Sequence, residues 1–359
     1  MHAEGDTTRY VDWGPPRARL ALALTAVTIG GFMSVVLSAV TLPVHQGKGD
    51  TDVDLFRKVV RRIQAGESHY DAYQRVFEEY HYPVRSVLNY RTPLHGWLVG
   101  NLPSLFWAQA ILAAVVMVTA LMAYTCLRRH GGAPRAAAGV LLMLGAFAYC
   151  FVNDMYLYTE VWSGTLIALS VCAYELDRRS LGVSVGLLAI FFRELALPYG
   201  AIAGLIAWRQ CRRREAGVWG VGLALYGLHL ALHYVAVAPR LPRAGGLINA
   251  STWVNYGGLV VILATCRINL LLIASPPWLA ALYLPLSLLG IVGWRGETSL
   301  RIGALVGLYL AAFSVVGGLN NAYWGLMYAP LLPFGLVWAP ASLRDLWSAS
   351  LRSRSAPRI

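Results

Sequence analysis

Long apolar stretches recur along this chain at residues 19–43, 103–127, 135–152, 161–176, 217–237, 278–294 and 302–319. Most of them are long enough to cross a hydrocarbon core of about 30 Å, and the shorter ones need tilt or burial by neighbours. Hydrophobic residues make up 57% of the 359 residues and charged ones only 13%, a composition unsuited to a water-soluble globule. The sequence therefore predicts an all-α integral membrane protein, a single polytopic domain over residues 1–359 with about ten transmembrane or re-entrant helices.

The net charge of +12 comes mainly from arginine clusters that lie between the apolar stretches. Placing every cluster in the cytoplasm satisfies the positive-inside rule, so the charge indicates topology rather than nucleic-acid binding. The topology puts both termini in the cytoplasm, including a basic tail over residues 344–359, and puts a loop over residues 44–102 outside. A bacterial-type inner (plasma) membrane is the predicted location.

This first extracytoplasmic loop is polar, with Asp50, Asp52 and Asp54 within five positions. Carboxylates so close together repel one another unless a cation, a proton or an arginine lies among them. Asp-x-Asp spacing suits a divalent cation or a carboxylate base. Asp54 also suits the N-terminus of the following helix, where aspartate is favoured by hydrogen bonding and by the helix dipole.

The next segment predicts a basic amphipathic helix. Leu55, Val59, Val60 and Ile63 recur at helical spacing, and basic residues fill the other face at Arg57, Lys58, Arg61 and Arg62. Two interpretations stay open. The helix either lies on anionic headgroups, or it borders a groove for a lipid-phosphate substrate.

Under this topology the remaining polar residues fall on the same side of the membrane as the first loop. They are Arg91, His95, Asp154, Glu160, Arg193, Glu194, Asn320 and Asn321. Arg193 and Glu194 divide an apolar run into two halves, which predicts a hairpin of short helices with this pair at its tip. The pair is either functional or a structural pair that neutralises itself in the bilayer.

The order of short motifs along the chain resembles that of a known superfamily. Asp52, Phe56, Gly66 and Tyr70 are followed by Tyr90-Arg91-Thr92-Pro93, by Glu160 in YLYTEVW, by Phe192 to Pro198, and by Asn320 to Pro330. These motifs resemble the GT-C superfamily, the membrane glycosyltransferases that use polyprenyl-phosphate sugars, and its compact mannosyl- and arabinosyltransferases above all. Phe56 stands where the superfamily more usually has tyrosine.

The resemblance implies an inverting transfer of one sugar from a polyprenyl-phosphate donor to an extracytoplasmic lipid or glycan acceptor. It implies Asp52 as the catalytic carboxylate and Asp54 as a second candidate. Whether a divalent cation (Mg²⁺ or Mn²⁺) on these two aspartates shares the task of holding the phosphate stays open, since members of the superfamily differ in their need for metal. The expected substrate-binding residues are Arg91, His95, Glu160, Arg193, Glu194, Asn320 and Tyr323. Arginine suits this role because its planar guanidinium group can donate two parallel hydrogen bonds to phosphate oxygens.

Two other functions stay open. A transporter or flippase for a lipid-linked or anionic solute would need polar residues distributed through the bilayer, and the one-sided placement argues against it. A non-catalytic membrane assembly protein would tolerate loss of the aspartates. The expected partners are membrane lipids and the two substrates, and nucleic acid is not among them.

Overall fold

The computed structural model describes residues 7–38, 52–82, 84, 86–152, 154–241 and 254–352. It is 84% helical, and the only β-pairing among the described residues is an isolated bridge between Val254 and Val316. The all-α prediction is confirmed. Asp50, with the whole of the 44–51 segment, and the end of the basic tail lie outside the described residues.

The described residues form fifteen α-helices and several 3₁₀ segments. The helices are α1 (Pro15–Leu37), α2 (Asp52–Gln64), α3 (His69–Glu79), α4 (Pro93–Gly100), α5 (Leu105–Ala148), α6 (Thr159–Glu175), α7 (Arg179–Phe192), α8 (Leu197–Arg209), α9 (Arg213–Val237), α10 (Gly258–Cys266), α11 (Leu270–Ile273), α12 (Pro277–Gly293), α13 (Glu297–Val315), α14 (Leu332–Leu336) and α15 (Ala339–Leu351). A 3₁₀ segment at Leu319–Met327 lies beside α6 and α10.

Four helical segments are long and apolar enough to cross a membrane, at Pro15–Leu37, Leu105–Phe151, Arg213–Arg240 and Glu297–Val315. They indicate a multi-pass membrane protein. The longest contains Gly132 with a φ of 76°, outside the helical region. Leu127 lies against Gly139, although a straight helix would separate these residues by about 18 Å. The chain therefore reverses at Gly132 and forms two antiparallel helices, as the two separate apolar stretches predict.

The hairpin predicted around Arg193 and Glu194 is confirmed. α7 and α8 have 14 and 13 residues, so each rises only about 20 Å. Gly186 on α7 and Gly204 on α8 both lie against Trp219, so α8 folds back beside α7 after the break. Arg193 leaves the helix with extended backbone (φ −153°, ψ 128°), and a 3₁₀ turn that starts at Glu194 leads into α8.

Residues 257–274, predicted as an interfacial or re-entrant helix, form the two short helices α10 and α11. The nine residues of α10 rise about 13 Å, too little to cross a bilayer. Asn269 lies at the break between them. Its Oδ1 accepts from the Leu271 N–H at 3.0 Å, and its amide donates to the Leu142 carbonyl at 2.9 Å. Because most of α10 is buried in protein, the structure favours a re-entrant placement over an interfacial one.

The amphipathic helix α2 does not lie on headgroups. Its apolar residues, including Val59, Val60 and Ile63, are buried, and α2 packs on α3 and α4. At Gly100 on α4 an added Cβ would overlap the Ile63 side chain. The interfacial interpretation of α2 is therefore wrong, because its apolar face is covered by α3 and α4.

The basic tail predicted at 344–359 begins as a helix. α15 runs through Leu351 and packs against α1 and α12. The buried Asp345 carboxylate accepts hydrogen bonds from the Thr8 N–H at 2.8 Å and the Thr8 hydroxyl at 3.0 Å. This contact ties the helix to the N-terminal segment.

Candidate active site

A buried cluster of four charged residues lies where the first loop meets the membrane helices. Arg193 Nε is 2.9 Å from Glu160 Oε1, and Arg193 Nη1 is 2.6 Å from Glu194 Oε1. Arg91 Nη2 is 3.8 Å from the same Glu160 oxygen. Glu160 is fully buried and Arg193 nearly so. Charges removed from water in this way need partners, so Glu160 is the centre that holds two guanidinium groups together.

Helix ends bring these residues together. Glu160 is in the first turn of α6, where the helix dipole favours a carboxylate. Arg193 occupies the break after α7, and Arg91 directly precedes the Thr92-Pro93 start of α4. The His69 imidazole holds the Arg91 backbone, since its Nε2–H donates to the Arg91 carbonyl oxygen at 2.8 Å.

The Arg91 guanidinium is cationic and keeps free donor capacity. Burial opposes its charge, but the Glu160 carboxylate outweighs that cost and raises the Arg91 pKa above its ordinary value. Arg91 Nε is buried without a hydrogen-bond partner among the described residues. A buried unsatisfied donor is costly, and an anionic group on a substrate would satisfy it.

Asp52 begins α2 at the edge of this cluster. The Tyr82 hydroxyl donates to Asp52 Oδ1 at 3.4 Å. Burial and the Asp52 charge together raise the pKa of Tyr82 to about 12, so the phenol stays protonated and remains a donor at neutral pH. The Asp52 side chain is partly exposed, and a substrate hydroxyl can therefore approach it.

Two tyrosine rings in contact lie between Asp52 and the ion cluster. The Tyr158 and Tyr323 ring centroids are 4.6 Å apart, and Phe56 packs edge-on against Tyr158 at 5.6 Å. Burial raises the Tyr323 pKa, and the charges that act on its hydroxyl are those of Arg91, Glu160, Asp52 and Arg193. Residues from five distant segments thus surround one pair of rings.

Asp54 points to a different partner. Arg57 Nη1 donates to Asp54 Oδ1 at 2.7 Å, and Arg57 Nε donates to Asp154 Oδ2 at 2.8 Å. Residues two apart on a helix do not share a face, which explains why Asp52 and Asp54 diverge. Among the described residues no three His, Cys, Asp or Glu side chains are grouped to hold a metal, so the divalent cation stays a prediction.

The two other predicted ligands have different environments. His95 is buried, with its ring 5.9 Å from Trp162 and 6.1 Å from Phe192. Burial lowers the pKa of His95 to about 4, so the imidazole is neutral at pH 7, and its Nε2 has no hydrogen-bond partner among the described residues. Asn320 is exposed at the start of the 3₁₀ segment.

The sequence analysis missed three contributors to this site. Tyr82 donates a hydrogen bond to the candidate base, Tyr158 packs against Tyr323, and His69 holds the Arg91 carbonyl by a hydrogen bond. Tyr158 lies two residues before Glu160, inside a motif already singled out, and that proximity was a usable signal. No local pattern marks Tyr82 or His69, because their partners are distant in sequence.

The neutral state of His95 predicts a loss of stability in acid. Its folded-state pKa of about 4 lies below the ordinary value of 6.5, so its contribution is complete above pH 6.5 and is lost as the pH falls toward 4. The full loss is about 3 kcal/mol. We expect His95→Phe, which needs no partner for a ring nitrogen, to flatten the decline of the melting temperature between pH 6.5 and 4.

The control is the exposed His81, which has a φ of 48°. Asparagine tolerates this conformation, so His81→Asn should melt with the same pH dependence as the parent. An unchanged pH dependence in His95→Phe would contradict the assignment of a neutral buried His95.

Close backbone packing fixes the segment that carries Tyr323. At Gly164 on α6 an added Cβ would overlap the Leu326 carbonyl oxygen, whereas Gly220 on α9 faces open space. We expect Gly164→Ala to cost about 1–3 kcal/mol by overpacking. Gly220→Ala should be neutral or should stabilise by up to about 1 kcal/mol through helix propensity. Thermal unfolding of the two variants in detergent checks this, and equal melting temperatures would refute the packing.

Comparison with models of protein families, with characterised proteins and with solved structures finds no match to this chain.

Proposed function

We propose that this protein is a membrane glycosyltransferase that moves one sugar from a polyprenyl-phosphate donor to a lipid or glycan acceptor. The observation that carries the proposal is the meeting of Asp52, Arg91, Glu160, Arg193 and Tyr323 around one pair of aromatic rings. A partly exposed carboxylate, a buried arginine with a free donor and an aromatic surface are the groups that a sugar phosphate and a hydroxyl acceptor require.

In the proposed reaction the acceptor hydroxyl oxygen attacks the anomeric carbon of the donor. The new glycosidic bond forms as the bond from that carbon to the phosphate oxygen breaks, with inversion, and the phosphate leaves with the electron pair. Asp52 receives the hydroxyl proton as general base. The Tyr82 hydroxyl, which donates to Asp52, orients the carboxylate.

The departing phosphate needs positive charge. Arg91 and Arg193 are balanced by Glu160 and Glu194, so the cluster is close to neutral before substrate binds and Asp52 adds a negative charge. A divalent cation, Mg²⁺ or Mn²⁺, would offset the charge of the substrate phosphate. Because Asp54 bonds Arg57, Asp52 and the substrate phosphate are its proposed ligands.

The proposal includes a topology of about ten transmembrane or re-entrant helices in a bacterial-type inner membrane. Both termini are cytoplasmic in it, and Asp52, Arg91 and Arg193 lie at the extracytoplasmic face. The arrangement of arginine clusters supports this orientation.

The test is transfer by the purified full chain in lipid nanodiscs. Polyprenyl-phosphate sugars are offered singly with a mixture of lipid and glycan acceptors, with and without Mg²⁺ or Mn²⁺. Mass spectrometry measures the free polyprenyl phosphate and the glycosylated acceptor. Movement of the intact donor across vesicle membranes without transfer would replace the proposal with a flippase, and neither transfer nor movement would favour an assembly protein.

A further inference from the structure

A second charged cavity lies at the other end of α7 from Arg193. It has a volume of about 530 Å³ and is formed between the beginnings of α7 and α9. Its lining is Arg179, Ser180, Val183, Ser184, Arg212, Arg213, Arg214, Glu215 and Val218. Since the 14 residues of α7 rise about 21 Å, this cavity is separate from the candidate active site.

The cavity carries positive charge that the protein does not neutralise. Its lining has four arginines and one glutamate, a surplus of three positive charges. The Glu215 carboxylate already has partners, because it pairs with Arg212 at 3.0 Å and accepts a hydrogen bond from the Tyr174 hydroxyl at 2.9 Å. Arg179, Arg213 and Arg214 form no ion pair with any residue in the described part of the chain. Three guanidinium groups are therefore available to an external anion.

The N-termini of two helices add to the positive electrostatic potential of the cavity. α7 begins at Arg179 and α9 at Arg213, and neither helix has a side-chain cap for its first N–H groups. Uncapped N–H groups and the positive end of the helix dipole both favour an anion such as phosphate. The serine hydroxyls of Ser180 and Ser184 line the same space.

One wall of the cavity is apolar and is formed by Val183 and Val218. On α9 the apolar surface continues one turn beyond Val218 to Val221, which is 61% exposed. A small soluble anion makes no use of such a wall, whereas a phospholipid places its headgroup among the arginines and its acyl chains along the valines. Basic pockets between membrane helices bind anionic headgroups in this manner.

We propose that this cavity binds an anionic phospholipid from the membrane leaflet opposite the candidate active site. The phosphate contacts Arg179, Arg213 and Arg214, and the acyl chains lie along α7 and α9. Arg212 has a different role, since its Nη2 pairs with Glu297 at 2.9 Å and it links α9 to α13. The proposal requires neither transferase activity nor a particular sugar.

The test measures lipid retention by the purified full chain with native mass spectrometry. Phosphatidylglycerol and cardiolipin are compared with phosphatidylcholine of matched chain length. The test variant is Arg179→Gln/Arg213→Gln/Arg214→Gln, which leaves Arg212 in place. Its matched control is Arg17→Gln/Arg128→Gln/Arg209→Gln, which removes three exposed arginines that do not line the cavity.

We expect the test variant to bind the anionic lipids about a hundredfold more weakly, at roughly fivefold per arginine, and the control to bind them like the parent. Equal losses of lipid affinity in the two variants would show that the binding depends on the overall charge of the protein and not on this cavity, and would overturn the proposal. So would displacement of the lipid by millimolar inorganic phosphate, which would make the ligand a free anion. If the glutamine variant does not fold, the lipid selectivity of the parent protein is the test. Equal retention of phosphatidylcholine and phosphatidylglycerol by the parent would overturn the proposal.

Discussion

Asp52→Asn should lower the rate of sugar transfer by about 100-fold to 10,000-fold, the range that a positioned general base contributes. The amide keeps the size of the side chain and can still accept from Tyr82, but it cannot take up the acceptor proton. Initial rates in nanodiscs at saturating donor measure the effect. The melting temperature should stay close to that of the parent, because Asp52 is partly exposed and makes one long hydrogen bond of 3.4 Å.

Two other aspartates of the same region serve as controls. Asp71 pairs with Arg240 at 2.9 Å on the surface, so Asp71→Asn should retain parental activity. Asp54→Asn removes the negative charge from the 2.7 Å ion pair with Arg57 and should lower activity less than Asp52→Asn does. Near-parental transfer by Asp52→Asn would exclude Asp52 as the base, and transfer by Asp52→Asn/Asp54→Asn would exclude a carboxylate mechanism at this site.

Glu160→Gln should destabilise the protein by about 3–5 kcal/mol, since removing one member of a buried ion pair leaves its partners uncompensated. Glu160 lies 2.9 Å from Arg193 and 3.8 Å from Arg91, and Arg193 also pairs with Glu194, so the substitution leaves the cluster with one surplus positive charge. We expect a large fall in melting temperature and in the yield of folded protein. Fluorescence-detected size exclusion over a temperature series in detergent measures both.

The matched control is Glu78→Gln, which removes an exposed carboxylate on α3 and should change stability by less than about 0.5 kcal/mol. A double variant tests whether the loss of stability comes from the unbalanced charge or from the changed side-chain packing. In Glu160→Gln/Arg91→Gln the surplus positive charge left by the loss of Glu160 is gone, because Arg193 still pairs with Glu194, so the loss of stability should be smaller than the sum of the single losses. Parental stability in Glu160→Gln would show that Glu160 does not hold the cluster together.

The sequence was informative wherever structure depends on local pattern. The period of Val59, Val60 and Ile63 predicts α2, and the charged interruption at Arg193 and Glu194 predicts the break between α7 and α8. The loss of helical conformation at Gly132 was located only approximately, by the gap between two apolar stretches. Local signals suffice here because helix formation and chain reversal depend on residues a few positions apart.

The membership of the candidate site was predicted only in part. Arg91, Glu160 and Arg193 were singled out, and the structure brings them into contact. Tyr82 was missed because its contact with Asp52 spans 30 positions. The headgroup placement of α2 was wrong, because an amphipathic pattern does not state whether lipid or protein covers the apolar face.

The sequence by itself determined the helical membrane class, the breaks between helices and a short group of candidate charged residues, since each follows from composition or from spacing along the chain. The tertiary structure decided which charges meet. Asp-x-Asp spacing alone does not separate Asp52 from Asp54, yet helix geometry turns Asp54 toward Arg57, which also bonds Asp154, and leaves Asp52 beside Tyr82. The physical reason is that a buried charge requires a partner, and the partner is supplied by helix ends whose positions depend on packing across the whole protein.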